Sequence, residues 1–185
     1  VRARNTGFTI VELLIVIVVI AVLAMISIVA YTNITQKANN AAIISAANQT
    51  LKAIQAYIAA KDDYPTKTEV CVTVDSGCVK SNGGSVASNS SFNTAMAGVA
   101  KPPTSVPSSG TTAYGIYTNY SSVRTFNGEP RPLIFIYFLQ GTNQQCGLSD
   151  ITDGYSNSMK SSSTGYTTGD IDGSKTLCIV SVPAP

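Results

Sequence analysis

Residues 13–30 read LLIVIVVIAVLAMISIVA, with Ser27 as the one polar side chain and neither Gly nor Pro. At 1.5 Å per residue a helix over residues 8–31 measures roughly 36 Å, enough to cross a hydrocarbon core of about 30 Å. Thirteen of the eighteen residues are Leu, Ile or Val. Each contributes roughly −0.3 to −0.6 kcal/mol at the centre of a membrane helix, so their sum outweighs one acid near the end. That acid is Glu12, the one charged residue between Gly7 and Tyr31. A carboxylate at the mouth of an apolar run is costly and marks function.

The rest of the chain is different in texture. Its 185 residues leave room for one domain beside the apolar segment. Charged residues make up 12% of the sequence, about half of the roughly 25% usual in globular proteins, and Ser, Thr, Asn and Gly dominate after residue 65. The net charge of +2 comes from Arg2 and Arg4, because the other ten Lys and Arg match ten Asp and Glu. This balance gives no basis for nucleic-acid binding. The absence of His excludes His-based triads and His metal sites, and no cofactor motif is present. The sequence reads as non-enzymatic.

No Gly or Pro interrupts residues 8–64, and Pro65 supplies a stop. Within residues 31–62, Ile44, Ala47, Leu51, Ile54 and Ile58 recur at helical spacing, while Asn48, Lys52, Gln55 and Lys61 fall elsewhere on the wheel. The pattern predicts one rod over residues 8–62, roughly 80 Å long, whose second half lays this stripe on the chain's own globular part.

Three readings compete for the N-terminus. A secretory signal peptide carries an apolar region of about 7–15 residues, shorter than this one. A plain signal anchor fits Arg2 and Arg4 but leaves Glu12 unexplained. The sequence G-F-T-I-V-E at residues 7–12 resembles the processing site of type IV pilins and pseudopilins. The resemblance implies a leader over residues 1–7, cleavage by a membrane prepilin peptidase between Gly7 and Phe8, and N-methylation of Phe8. It also implies that Glu12 meets the new amine of a neighbouring subunit and sets the register of one helix against the next. In low dielectric such a pair penalises every register in which it is not made. Many family members carry a Pro or Gly inside the membrane half; this chain does not.

After Pro65 short strand-like runs alternate with turn residues. The stretch EVCVTVDSGC (69–78) alternates like a strand, and a Cys71–Cys78 bridge across its turn is geometrically easy. Four cysteines beside an export segment favour disulfides, with three connectivities open. If Cys71 pairs with Cys78, Cys146 pairs with Cys178, closing a long polar loop that resembles the disulfide-bounded C-terminal loop of many pilins. Zinc is disfavoured by the lack of CxxC spacing. Residues 80–110 read as an irregular connection with a short helix at 92–99. Residues 133–139, apolar throughout, are the expected central strand, with further strands at 115–119 and in the TLCIVSV run. Val123 and Arg124 form a separate strand in this reading. Asp170 and Asp172, in a D-x-D-G sequence near Asp150 and Asp153, are weak calcium candidates, because the closing Glu of a full calcium loop is missing.

The expected fold is α+β, a long N-terminal helix packed against an antiparallel sheet of three or four strands, as in pilins. The parts are a leader (1–7), a membrane or filament-core segment (8–31), an amphipathic continuation (32–62) and a globular head (63–185). The leading expectation is a type IV pilus subunit: an inner-membrane precursor, then a homopolymer in an extracellular filament serving adhesion, motility or DNA uptake. Its partners would be copies of itself, the prepilin peptidase and the assembly machinery. The alternative is a pseudopilin of a type II secretion or competence system. A monomeric membrane-anchored adhesin is the third reading.

Overall fold

The computed structural model describes residues 7–72, 77–80, 83–88, 90–99, 115–152, 166–168 and 175–185. The chain divides into two compact units, Val1–Lys37 and Ala38–Pro185. A single helix, α1, runs over Ile10–Lys61 and enters both.

In the first unit α1 presents its apolar residues outward. Exposed large hydrophobics run from Phe8 to Ile34, and this part of the helix is long and apolar enough to cross a membrane. Its hydroxyls bond back into the helix: Ser27 Oγ to the Leu23 carbonyl at 2.8 Å, Thr32 Oγ1 to Val29 at 3.0 Å and Thr35 Oγ1 to Tyr31 at 2.9 Å. The helix runs unbroken through this polar cluster, with each hydroxyl partnered by a carbonyl of the preceding turn.

In the second unit the elements following α1 are β1 (Val70–Cys71), β2 (Cys78–Val79), β3 (Ser85–Val86), α2 (Ser90–Ala97), β4 (Tyr117–Tyr120), β5 (Thr125–Phe126), β6 (Glu129–Pro130), β7 (Leu133–Gln140), β8 (Tyr166–Thr168) and β9 (Lys175–Ser181). Five of them form an antiparallel sheet in the order β1-β4-β7-β9-β8. The expected three or four strands fall short by β8, which at three residues is too short to show an alternating pattern, whereas β1 lies in the run at 69–78 already read as strand. The run at 69–78 is accordingly two short strands, β1 and β2, and not one. Val123 and Arg124 lie in a turn, and the strand begins at Thr125.

Central β7 is buried from Leu133 to Leu139, and strand alternation sends its side chains into two cores. Leu133, Phe135, Tyr137 and Leu139 join Ile43, Ala47, Leu51 and Ile54 of α1 and Phe92 and Met96 of α2. Ile134, Ile136 and Phe138 face Tyr117, Phe126, Val86 and Ile179, beneath the hairpins β2–β3 and β5–β6. The expected stripe on α1 is therefore wider, taking in Asn40, Ile43, Ala46, Thr50 and Ala53, while Ile44 and Ile58 lie at its margin.

Each core holds one disulfide. Cys71–Cys78 has a Cα–Cα separation of 5.5 Å and lies in the hairpin-side core; Cys146–Cys178, at 5.7 Å, lies on the helix side. Chain-entropy reasoning gives roughly 2.5 kcal/mol for the shorter loop and about 3.7 kcal/mol for the longer. The Tyr137 hydroxyl donates to the Cys146 carbonyl at 2.6 Å.

Candidate functional site at the N-terminus of the long helix

The helix begins one residue after Thr9, and Thr9 is its N-cap. The Glu12 amide donates to Thr9 Oγ1 at 3.2 Å, and Glu12 Oε2 accepts from the Thr9 amide and from the Thr9 hydroxyl, both at 2.8 Å. This reciprocal arrangement is a capping box: the cap residue satisfies one orphan donor of the first turn and the carboxylate three residues on satisfies another. A negative charge in the first turn also complements the positive end of the helix dipole. Reading the sequence for charge alone missed Thr9. The signal was there in T-x-x-E ahead of an apolar run, a helix-start signature.

Both bonds from Thr9 end on Oε2. A carboxylate offers about four acceptor positions over two oxygens, so Oε1 retains capacity for a further donor. Glu12 is exposed, and Phe8, one turn away, is 90% exposed. At Gly7 an added Cβ would meet nothing within 4 Å. Among the described residues no packing demands glycine there.

The other sequence candidates lie elsewhere. The four cysteines are all in disulfides. Asp170 and Asp172, with Asp153, lie outside the described residues. Asp150 accepts from Arg131 Nη1 at 2.9 Å, and that same nitrogen donates to Ser181 Oγ at 3.1 Å. Among the described residues no three His, Cys, Asp or Glu side chains gather as a metal site.

Residues 2–28 match a protein family described as the prokaryotic N-terminal methylation motif. The N-terminus is of the prepilin type. The matched span contains Gly7, Phe8, the capping box and most of the apolar run. This class III signal peptide is typical of type IV pilins and pseudopilins, and it implies processing by a prepilin peptidase. With the apolar helix it describes a membrane-anchored precursor, and proteins of this prepilin-like kind are typically structural and non-enzymatic. The α+β architecture, a long helix against an antiparallel sheet, is pilin-like. No curated protein and no solved structure matches the chain.

Proposed function

We propose that this prepilin-like chain is the structural subunit of a type IV pilus, cut between Gly7 and Phe8, methylated at Phe8 and polymerised through residues 8–31 into an extracellular filament. The observation that carries the reading is Glu12, the one charge from Phe8 to Gln36, held at the helix start beside the residue that cleavage would turn into an amine. Before cleavage Thr9 holds the carboxylate. After cleavage a Phe8 ammonium, from the same chain or a neighbour, has an oxygen of that carboxylate to meet.

In this reading residues 1–7 are leader, 32–62 carry the helix into the globular part, and 63–185 form the head that faces the outside. Two disulfides and a Ser/Thr-rich surface suit an exported polymer. The disulfides would suit a pseudopilin in the oxidising periplasm equally; the long Ser/Thr-rich stretches favour the pilin.

The capping box supplies the test. Gln at the third helical position preserves a capping box but carries no charge. Glu12→Gln is expected to be processed to mature length and to lose sheared filaments as fully as Glu12→Ala. Wild-type filament yield from Glu12→Gln would reduce Glu12 to a helix cap and defeat the assembly role. Loss of protein secretion in a strain that never displays filaments would point to the pseudopilin. Intact function in Glu12→Ala would point to the anchored monomer.

A further inference from the structure

One carboxylate in the head joins two nitrogens that the sequence holds far apart. Glu69 Oε2 accepts from Lys80 Nζ, and Glu69 Oε1 accepts from Asn119 Nδ2 at 3.3 Å. Strand register accounts for the second contact. Val70 lies opposite Thr118 and Cys71 opposite Tyr117, so Glu69, just before β1, comes opposite Asn119. The disulfide accounts for the first: Glu69 and Lys80 each lie two residues from one end of the Cys71–Cys78 bridge, on the face that strand alternation shares with the cysteine. Backbone bonds hold Lys80 at the end of β2, its amide donating to the Gly84 carbonyl at 2.7 Å and its carbonyl accepting from the Gly83 amide at 3.1 Å.

Arg124 completes the row. Its Nη2 donates to Asn119 Oδ1, while Nη1 donates to the Asn119 and Pro132 carbonyls at 3.1 and 2.8 Å. The Lys80 and Glu69 side chains are 28% and 30% exposed, so much of the pair is shielded from competing water. An ion pair needs only Lys80 and Glu69. The Asn119 amide adds an electrophilic carbon with a cation on its oxygen, and a leaving nitrogen bonded to the same carboxylate as the amine. Nucleophile, proton carrier, electrophile and oxyanion partner thus stand in order.

We propose that Lys80 and Asn119 join in an intramolecular amide, with Glu69 as the proton carrier. Lys80 Nζ passes a proton to Glu69 and, as a neutral amine, attacks Asn119 Cγ. The new C–N bond puts negative charge on Oδ1, which faces the Arg124 guanidinium. Glu69 hands its proton to Nδ2, the Cγ–Nδ2 bond breaks, and ammonia leaves, taking the extra proton from Nζ as ammonium. Nothing is oxidised or reduced. The event happens once per chain, so it needs no turnover, only completion within the life of the protein. The product closes a ring over residues 80–119, which contains the irregular polar connection. A chain cut by a protease inside that ring stays in one piece, a service that bridges at 71–78 and 146–178 do not give it. The bond forms in a polymer subunit or a monomer alike, so its failure leaves the polymer reading untouched.

Peptide mapping of the full-length chain by mass spectrometry, after reduction, alkylation and trypsin, tests this. Trypsin cuts after a free Lys80 and, with Pro102 shielding Lys101, releases residues 68–80 and 81–124. The bonded chain is expected to yield residues 68–124 as one peptide, lighter than its sequence by one ammonia. Glu69→Ala is expected to restore the two separate peptides. Two separate peptides from the wild-type chain would reduce the row to an ordinary ion pair and overturn the bond. An uncut peptide of full sequence mass would do the same, and a loss of water would put the link on Glu69 and overturn it too. A bonded peptide at wild-type yield from Glu69→Ala would remove the proton carrier and sink the mechanism.

Discussion

Asn40 is a polar residue on the buried face of α1, and its amide takes the part of a neighbouring peptide group. Its Nδ2 donates to the Gln140 carbonyl at 2.9 Å, and its Oδ1 accepts from the Gln140 amide at 2.8 Å. Asn40→Leu is expected to lower unfolding stability by about 1–2 kcal/mol, since it removes a partner from both the half-buried amide and carbonyl of Gln140; a urea titration of the full-length chain in detergent reads this. Gly147 lies at φ +71°, and a Cβ there would stand 2.8 Å from Ile44 Cγ2. Gly147→Ala should cost about 1–3 kcal/mol in the same titration, through backbone strain and overpacking against α1. Tyr137 sets an alkaline limit. Burial pushes its phenol well above the ordinary value of 10.0, so the folded state holds the proton more tightly than the unfolded chain does. That contribution is complete below about pH 10 and is lost as pH rises toward the folded pKa. Thermal midpoints should therefore fall above pH 10, and Tyr137→Phe should flatten the fall while losing the bond to the Cys146 carbonyl.

Helix and central strand were legible in the sequence because local chemistry fixes them. An unbroken run without Gly or Pro, with Pro65 just beyond, fits α1 ending at Lys61, where Asp62 turns the chain at φ +53°. Seven successive apolar residues marked the centre of the sheet. What stayed hidden depends on distant partners. Asn40 and Gln140 meet across 100 positions, and nothing near either residue announces it. Strand β8 exists because β9 offers it an edge, and three residues carry no period of their own. The N-terminal site was half legible: Glu12 stood out as a charge in an apolar run, whereas its bond to Thr9 required reading the same letters as a helix start. Among the connections, Cys146–Cys178 ties the segment after β7 to β9. Replacing both cysteines by Ser should cost about 3.7 kcal/mol by loop entropy, lowering the urea midpoint with the α-helical circular dichroism of α1 retained below it.

At the scale of the whole molecule, the proposed polymer asks one helix to live in two surroundings, first lipid and then other helices. Ser27, Thr32 and Thr35 have already given their hydroxyl protons to carbonyls of their own helix, and Thr9 and Glu12 answer each other at its start. Such a segment carries its polar partners with it, so leaving a bilayer for a protein interior opens no hydrogen bond and exchanges one hydrocarbon neighbour for another. The transfer is then close to isoenergetic in either direction over most of the helix. On the proposed reading the apolar stretch is indifferent to its solvent, and what tells filament from bilayer is left to Glu12 and the amine it meets at the start of the helix.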